Sequence, residues 1–146
     1  MNEINSWFSK HTDAILVTDK VNSPIEFSNL FVDKKRLMME LFSVEAVKEG
    51  IEAQILESIP TGGLWGKIKN SNEILKNIRF IAAGRKISES TVREIQNKKL
   101  KIYAFHLNFE KHATEIWSIC NESDLFYGFY VDKTNFLNQS INCKNY

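Results

Sequence analysis

Apolar positions along this chain change period several times, and the changes mark out the elements. Ile4, Trp7 and Phe8 stand at i, i+3, i+4 behind Asn2 or Asn5, which predicts a short capped first helix. Ala14–Thr18 is a compact β-branched run and predicts a strand. Val21-Asn-Ser-Pro24 carries turn chemistry, because Pro24 fixes its own φ and pushes Ser23 towards extended backbone. Ile25–Val32 reads as a second strand. Asp33 then caps a long helix over about Lys34–Glu49, with Leu37, Met38, Leu41, Phe42, Val44 and Val47 on its buried face and Gly50 as its stop.

Ile51–Ile59 alternates and predicts a strand that Pro60 ends, followed by a turn at Thr61–Gly66. A one- or two-turn helix behind Ser71 or Asn72, a strand over Ile78–Ala83 and a short helix behind Ser88 or Ser90 come next. The clearest stretch is last. Residues 101–108 alternate, Ala113, Ile116, Trp117 and Cys120 form one helical stripe within 109–121 behind an Asn108 cap, and 125–131 alternate again. A strand–helix–strand unit has this length. The expected fold is α/β or α+β: one domain over 1–134 with a mixed central sheet, a C-terminal β-α-β-α-β run with helices packed on it, and a loosely ordered polar tail over 135–146.

Composition narrows the class. The chain has 146 residues, of which 43% are hydrophobic and 25% charged, which is a globular balance. A domain of this size buries roughly 68–70% of its unfolded surface. No internal repeat stands out. No basic region leads into an apolar run at the amino terminus, and no apolar stretch nears the roughly 20 residues a membrane helix needs. Cys120 and Cys143 are too few for a disulfide framework, and Cys120 on an apolar stripe is expected as a buried thiol. These readings favour a cytoplasmic protein without a membrane partner. The abundance of Asn, Lys and Ile fits an A/T-rich bacterial or phage gene.

Charge is uneven although the formal net is +1. Glu40, Glu45, Glu49, Glu52 and Glu57 oppose only Lys48 across 40–58, whereas ten basic residues oppose three acidic ones across 67–101. Ser88–Lys99 has the texture of a recognition helix, with a polar start and a basic end, but the preceding segment reads as a strand rather than a first helix. His11, His106 and His112 show no acid–base pairing or nucleophile nearby. No Cys/His spacing suits a metal, no acidic loop suits calcium, and Thr61-Gly-Gly-Leu-Trp-Gly66 lacks the Lys-Ser/Thr of a phosphate loop although Lys67 follows. No enzyme activity and no cofactor are therefore expected. The last third carries more aromatic residues than one buried face requires, and Tyr127, Tyr130 and Trp65 are candidate anchors for a protein partner.

In length, composition, α/β patterning and the lack of a leader, the chain resembles the small immunity proteins of bacterial polymorphic toxin systems, including those of contact-dependent growth inhibition. The resemblance is one of general character and includes no specific motif. It implies a toxin inhibitor: a protein that binds one cognate toxin domain, such as a nuclease, and occludes its active site. The acidic corner of Glu45, Glu49, Glu52 and Glu57, with Trp65, Tyr127 and Tyr130, is then the expected partner interface. The alternative is a nucleic-acid-binding protein that uses the basic 67–101 stretch.

Overall fold

The computed structural model describes residues 1–105, 115–131 and 143. It contains helices α1 (Asn2–Lys10), α2 (Pro24–Leu30), α3 (Val44–Ala53), α4 (Gly63–Ile68), α5 (Asn72–Leu75), α6 (Glu89–Asn97) and α7 (Glu115–Asn121). Its strands are β1 (Leu16–Thr18), β2 (Leu37–Glu40), β3 (Leu56–Pro60), β4 (Phe80–Gly84), β5 (Lys101–Phe105) and β6 (Gly128–Phe129). The expected α/β class holds. The sheet is parallel rather than mixed, and its order β1-β2-β3-β4-β5-β6 follows the chain. Strands begin at residues 16, 37, 56, 80, 101 and 128, a structural repeat that no repeated residues announce. The chain divides into two compact units, Met1–Phe80 and Ile81–Tyr146.

In the first unit Leu16, Val17 and Thr18 align with Leu37, Met38 and Met39, and Met38, Met39 and Glu40 align with Leu56, Glu57 and Ser58. Side chains alternate, so Leu37, Met39, Leu41, Ile55, Glu57 and Ile59 share one face. That face lies under α3. A Cβ added to Gly50 of α3 would stand 2.9 Å from Leu41 Cδ1 and 3.2 Å from Glu57 Cγ. Ala46, Val47 and Ala53 complete the buried stripe, and α2 packs against α3 on the same side.

Four sequence expectations fail here for identifiable reasons. The long helix over 34–49 is a 3-10 turn (Lys34–Arg36), strand β2 and the start of α3. Leu37-Met-Met is apolar because β2 is buried on both faces, and a short run of that kind imitates a helix stripe. Asp33 does act as a cap, accepting from Lys35 N at 3.0 Å, but the α3 cap is Ser43, which accepts from Ala46 N. Pro24 opens α2 at its first position instead of ending a turn, and so the predicted second strand is a helix. The predicted turn at Thr61–Gly66 likewise winds into α4, and 51–53 belong to α3.

Helix α1 is pinned by polar contacts. Asn5 Nδ2 donates to Leu30 O at 2.8 Å and its Oδ1 accepts from Val32 N at 2.9 Å. The Arg36 guanidinium donates to His11 O (2.8 Å), Ala14 O (3.3 Å) and Phe8 O (3.1 Å) and pairs with Asp33 at 3.0 Å. Phe8 and Phe31 meet edge-to-face at 5.0 Å beneath these bonds.

The second unit is the expected β-α-β-α-β run. Ser88 caps α6 by accepting from Thr91 N, and the buried Val92 and Ile95 face Ile102 and Ala104 across a shared core. In β5 and β6, Tyr103 aligns with Gly128 and Ala104 with Phe129. Arg85 N donates to Phe105 O at 3.0 Å. Cys120 of α7 is bonded to Cys143 with Cα atoms 5.3 Å apart, which replaces the expected buried free thiol. Asn108, His106, His112, Ala113, the end of the strand predicted over 101–108 and the rest of the 135–146 tail lie outside the described residues.

Candidate functional site

The second unit presents an aromatic face built by strand alternation. Ile102 and Ala104 of β5 point into the core, so Lys101, Tyr103 and Phe105 point the other way. The register sets Gly128 beside Tyr103, and the space a Cβ would fill at Gly128 is taken by the Tyr103 ring. Tyr127 packs on Tyr103 at 5.6 Å and 82°, and Tyr130 does so at 5.8 Å and 48°. Backbone bonds from Tyr127 N to Ile102 O and from Tyr130 N to Ala104 O, both 2.8 Å, fix the two flanking residues to β5.

Lys101 Nζ sits 3.9 Å from the centre of the Tyr127 ring, an attraction between a cation and the ring's negative face. Tyr127 remains 58% exposed. Burial, and then the neighbouring Tyr127, push the Tyr103 phenol above its ordinary range, so it stays a neutral donor at physiological pH. Lys101 and Tyr127 also wall a shallow cleft of about 230 Å³ with Gln96, Leu100, Ser123 and Asp124. Gln96 Nε2 donates to Asp124 O and Leu125 O and shapes its rim. The structure thus brings together Tyr127 and Tyr130, both expected at the interface, and adds Tyr103, Lys101 and Gly128. Alternation of Lys101, Tyr103 and Phe105 on one strand face was the available signal; the fit of Tyr103 over Gly128 depends on a register that sequence does not state.

In the first unit Glu45, Glu49 and Glu52 follow one another along α3 at helical spacing, with Glu45 and Glu52 exposed and Glu49 half-buried. Glu45 also lines a cleft of about 520 Å³ with Phe42, Ser43, Gly62, Gly63 and Lys67, at the carboxyl ends of β2 and β3. Glu57 does not join this surface. Its register with Met39 turns it under α3, where it is 3% exposed and its carboxyl is pushed up to about 7, by burial first, against the weaker pull of its own backbone N–H and of Arg79. Trp65 is likewise interior at 4% exposure, because α4 turns it inward; its Nε1 has no hydrogen-bond partner among the described residues. Both are corrected from interface to core.

The basic stretch is partly engaged. Arg85 pairs with Glu122, Arg93 with Glu89, and Lys101 with the Tyr127 ring. Helix α6 serves as a crossover, and β4 rather than a helix stands directly before it, so the two helices of a helix-turn-helix are not formed there. Among the described residues no three His, Cys, Asp or Glu side chains gather in a metal-holding group, and no helix is long and apolar enough to cross a membrane. Lys67, which follows Gly66, stands in the last turn of α4 without the remainder of a phosphate loop.

The site defines an α/β parallel-sheet protein with a tyrosine-rich surface. Comparisons with protein families, curated proteins and solved structures return no match.

Proposed function

We propose that this chain is a binding protein whose partner is another protein, in the manner of an immunity protein that occludes the active site of a cognate toxin domain. The observation that carries the reading is the exposed Tyr127 ring, held between Lys101 and Tyr103 in a cluster already ordered for contact. Tyr is favoured where a few desolvated side chains dominate affinity, and a ring fixed by its neighbours loses little entropy on binding. The Glu45–Glu49–Glu52 row of α3 would steer a basic toxin cleft towards the protein. A nucleic-acid partner is the weaker reading, since several of the basic residues it needs are engaged within the second unit.

The test is capture from lysate of the native host with tagged wild type and Tyr127→Ala, each with and without nuclease. The reading expects one protein that survives nuclease and high salt and is lost with Tyr127→Ala. Nucleic acid that elutes with salt, at equal yield from both baits, overturns it. A cytoplasmic setting belongs to this proposal and would keep Cys120 and Cys143 reduced. Trapping free thiols at the moment of lysis therefore checks the compartment separately.

A further inference from the structure

One row of oxygen-bearing side chains in the first unit lies outside the interface residues named above. The alignment of Glu40 with Ser58, and of Thr18 with Met39, sets Asp19, Glu40 and Ser58 side by side at the carboxyl ends of β1, β2 and β3. Glu40 and Ser58 fall on the sheet face opposite Leu41 and Glu57, away from α3, and Asp19 follows directly on the end of β1 at the same edge. Open α/β sheets bind ligands at this end of their strands.

The row is electrostatically incomplete. Among the described residues Asp19 forms its ion pair with Lys20, whose Nζ lies 3.6 Å from Oδ2 with both side chains solvent-exposed. Such an exposed pair holds little energy. Glu40 is half-buried at the end of β2. Beside it Ser58 is fully buried at 0% exposure, and its Oγ has no hydrogen-bond partner among the described residues. A buried hydroxyl without a partner is destabilising, so its position calls for an explanation.

We propose that Asp19, Glu40 and Ser58 bind a hard divalent cation of the magnesium class. The donors are all oxygen, which selects against soft metals. Two carboxylates match the charge of such an ion, and waters complete its shell, as magnesium prefers. The ion would supply the contact that the Ser58 Oγ lacks. Lys20 would act as an internal competitor, because it occupies Asp19 when the ion is absent.

The test uses the full chain and Mn²⁺ as a paramagnetic probe, read by broadening of amide resonances. Broadening should centre on residues 19, 40 and 58, saturate at about 10⁻⁴–10⁻³ M, and reverse with Mg²⁺. Asp19→Asn and Glu40→Gln should each weaken binding about tenfold or more. Lys20→Ala should tighten it a few-fold, an effect that a purely structural role would not produce. Asp19 is exposed, so Asp19→Asn keeps the fold and the test informative if Glu40→Gln does not. Absent broadening, broadening centred on the α3 row Glu45–Glu49–Glu52, or unchanged affinity in Asp19→Asn overturns the site.

Discussion

Arg85 forks onto Glu122: its Nε lies 2.9 Å from Oε2 and its Nη2 lies 2.9 Å from Oε1, with both side chains largely shielded from solvent. The same guanidinium stands 5.1 Å over the Trp117 ring, so one residue after β4 holds α7 by charge and by its face. Truncating one member of a shielded pair strands the other. Arg85→Ala should therefore lower stability by about 3 kcal/mol, and Arg85→Lys should recover little, since an ammonium lacks the planar fork. Chemical denaturation of the two variants checks this, and equal recovery by Lys would contradict the forked geometry.

Glu57 makes stability fall with rising pH. Its folded pKa of about 7 lies above the ordinary value of 4.5, so the native state holds a proton that the unfolded chain has released. The contribution is whole below about 4.5 and is lost as pH rises through about 7, a change of roughly 3 kcal/mol. Glu57→Gln should flatten that slope and make the protein more stable than wild type at pH 8. Denaturant midpoints at pH 5 and pH 8 decide; a wild type that is equally stable at both denies the buried acid.

Gly128 is the vacancy that seats Tyr103. A Cβ there would meet the ring, with Cδ1 at 2.8 Å and Cε1 closer, so Gly128→Ala should turn Tyr103 out of the cluster at a cost of about 1–2 kcal/mol. The cost should vanish in a Tyr103→Ala background, where nothing remains to collide. A double-mutant cycle measures that coupling, and simple additivity would place the ring elsewhere.

Joining Cys120 to Cys143 closes a loop across 23 residues of sequence. Chain-entropy reasoning assigns such a closure roughly 3 kcal/mol. Reduction, or Cys120→Ser, should lower the melting temperature measurably in the second unit. An unchanged melt with and without reductant would show that the bond adds nothing to stability.

What the residues disclosed by themselves follows how local each signal is. Helix α6 carries its Ser88 cap and its stripe within one segment, and the β5–α7–β6 pattern switches period visibly, so these were readable. Helix α1 was readable by its stripe alone, since Met1 and not Asn2 or Asn5 stands at its N-cap and Asn5 instead bonds Leu30 and Val32. Strand β2 was not, because Leu37–Met39 is buried from both sides and shows no alternation. The same ambiguity misplaced part of the candidate surface. Glu57 looks like one more surface acid in an acidic stretch, and only its pairing with Met39 shows which way it faces. Tyr127 and Tyr130 could be named as spare aromatics from alternation alone, whereas their meeting on Tyr103 required the register. Asp19, Glu40 and Ser58 lie far apart in the chain and share no motif, and only the sheet aligns them.

Strand order that follows chain order has a consequence for how such a molecule is assembled and how it can change. β1, β2 and β3 start at 16, 37 and 56, so each pairing in the first unit is made by segments about twenty residues apart. Contacts that close short loops form quickly, and each new strand finds its place on an edge already laid down. One strand with its helix could also be copied or lost in a lineage without rethreading the others.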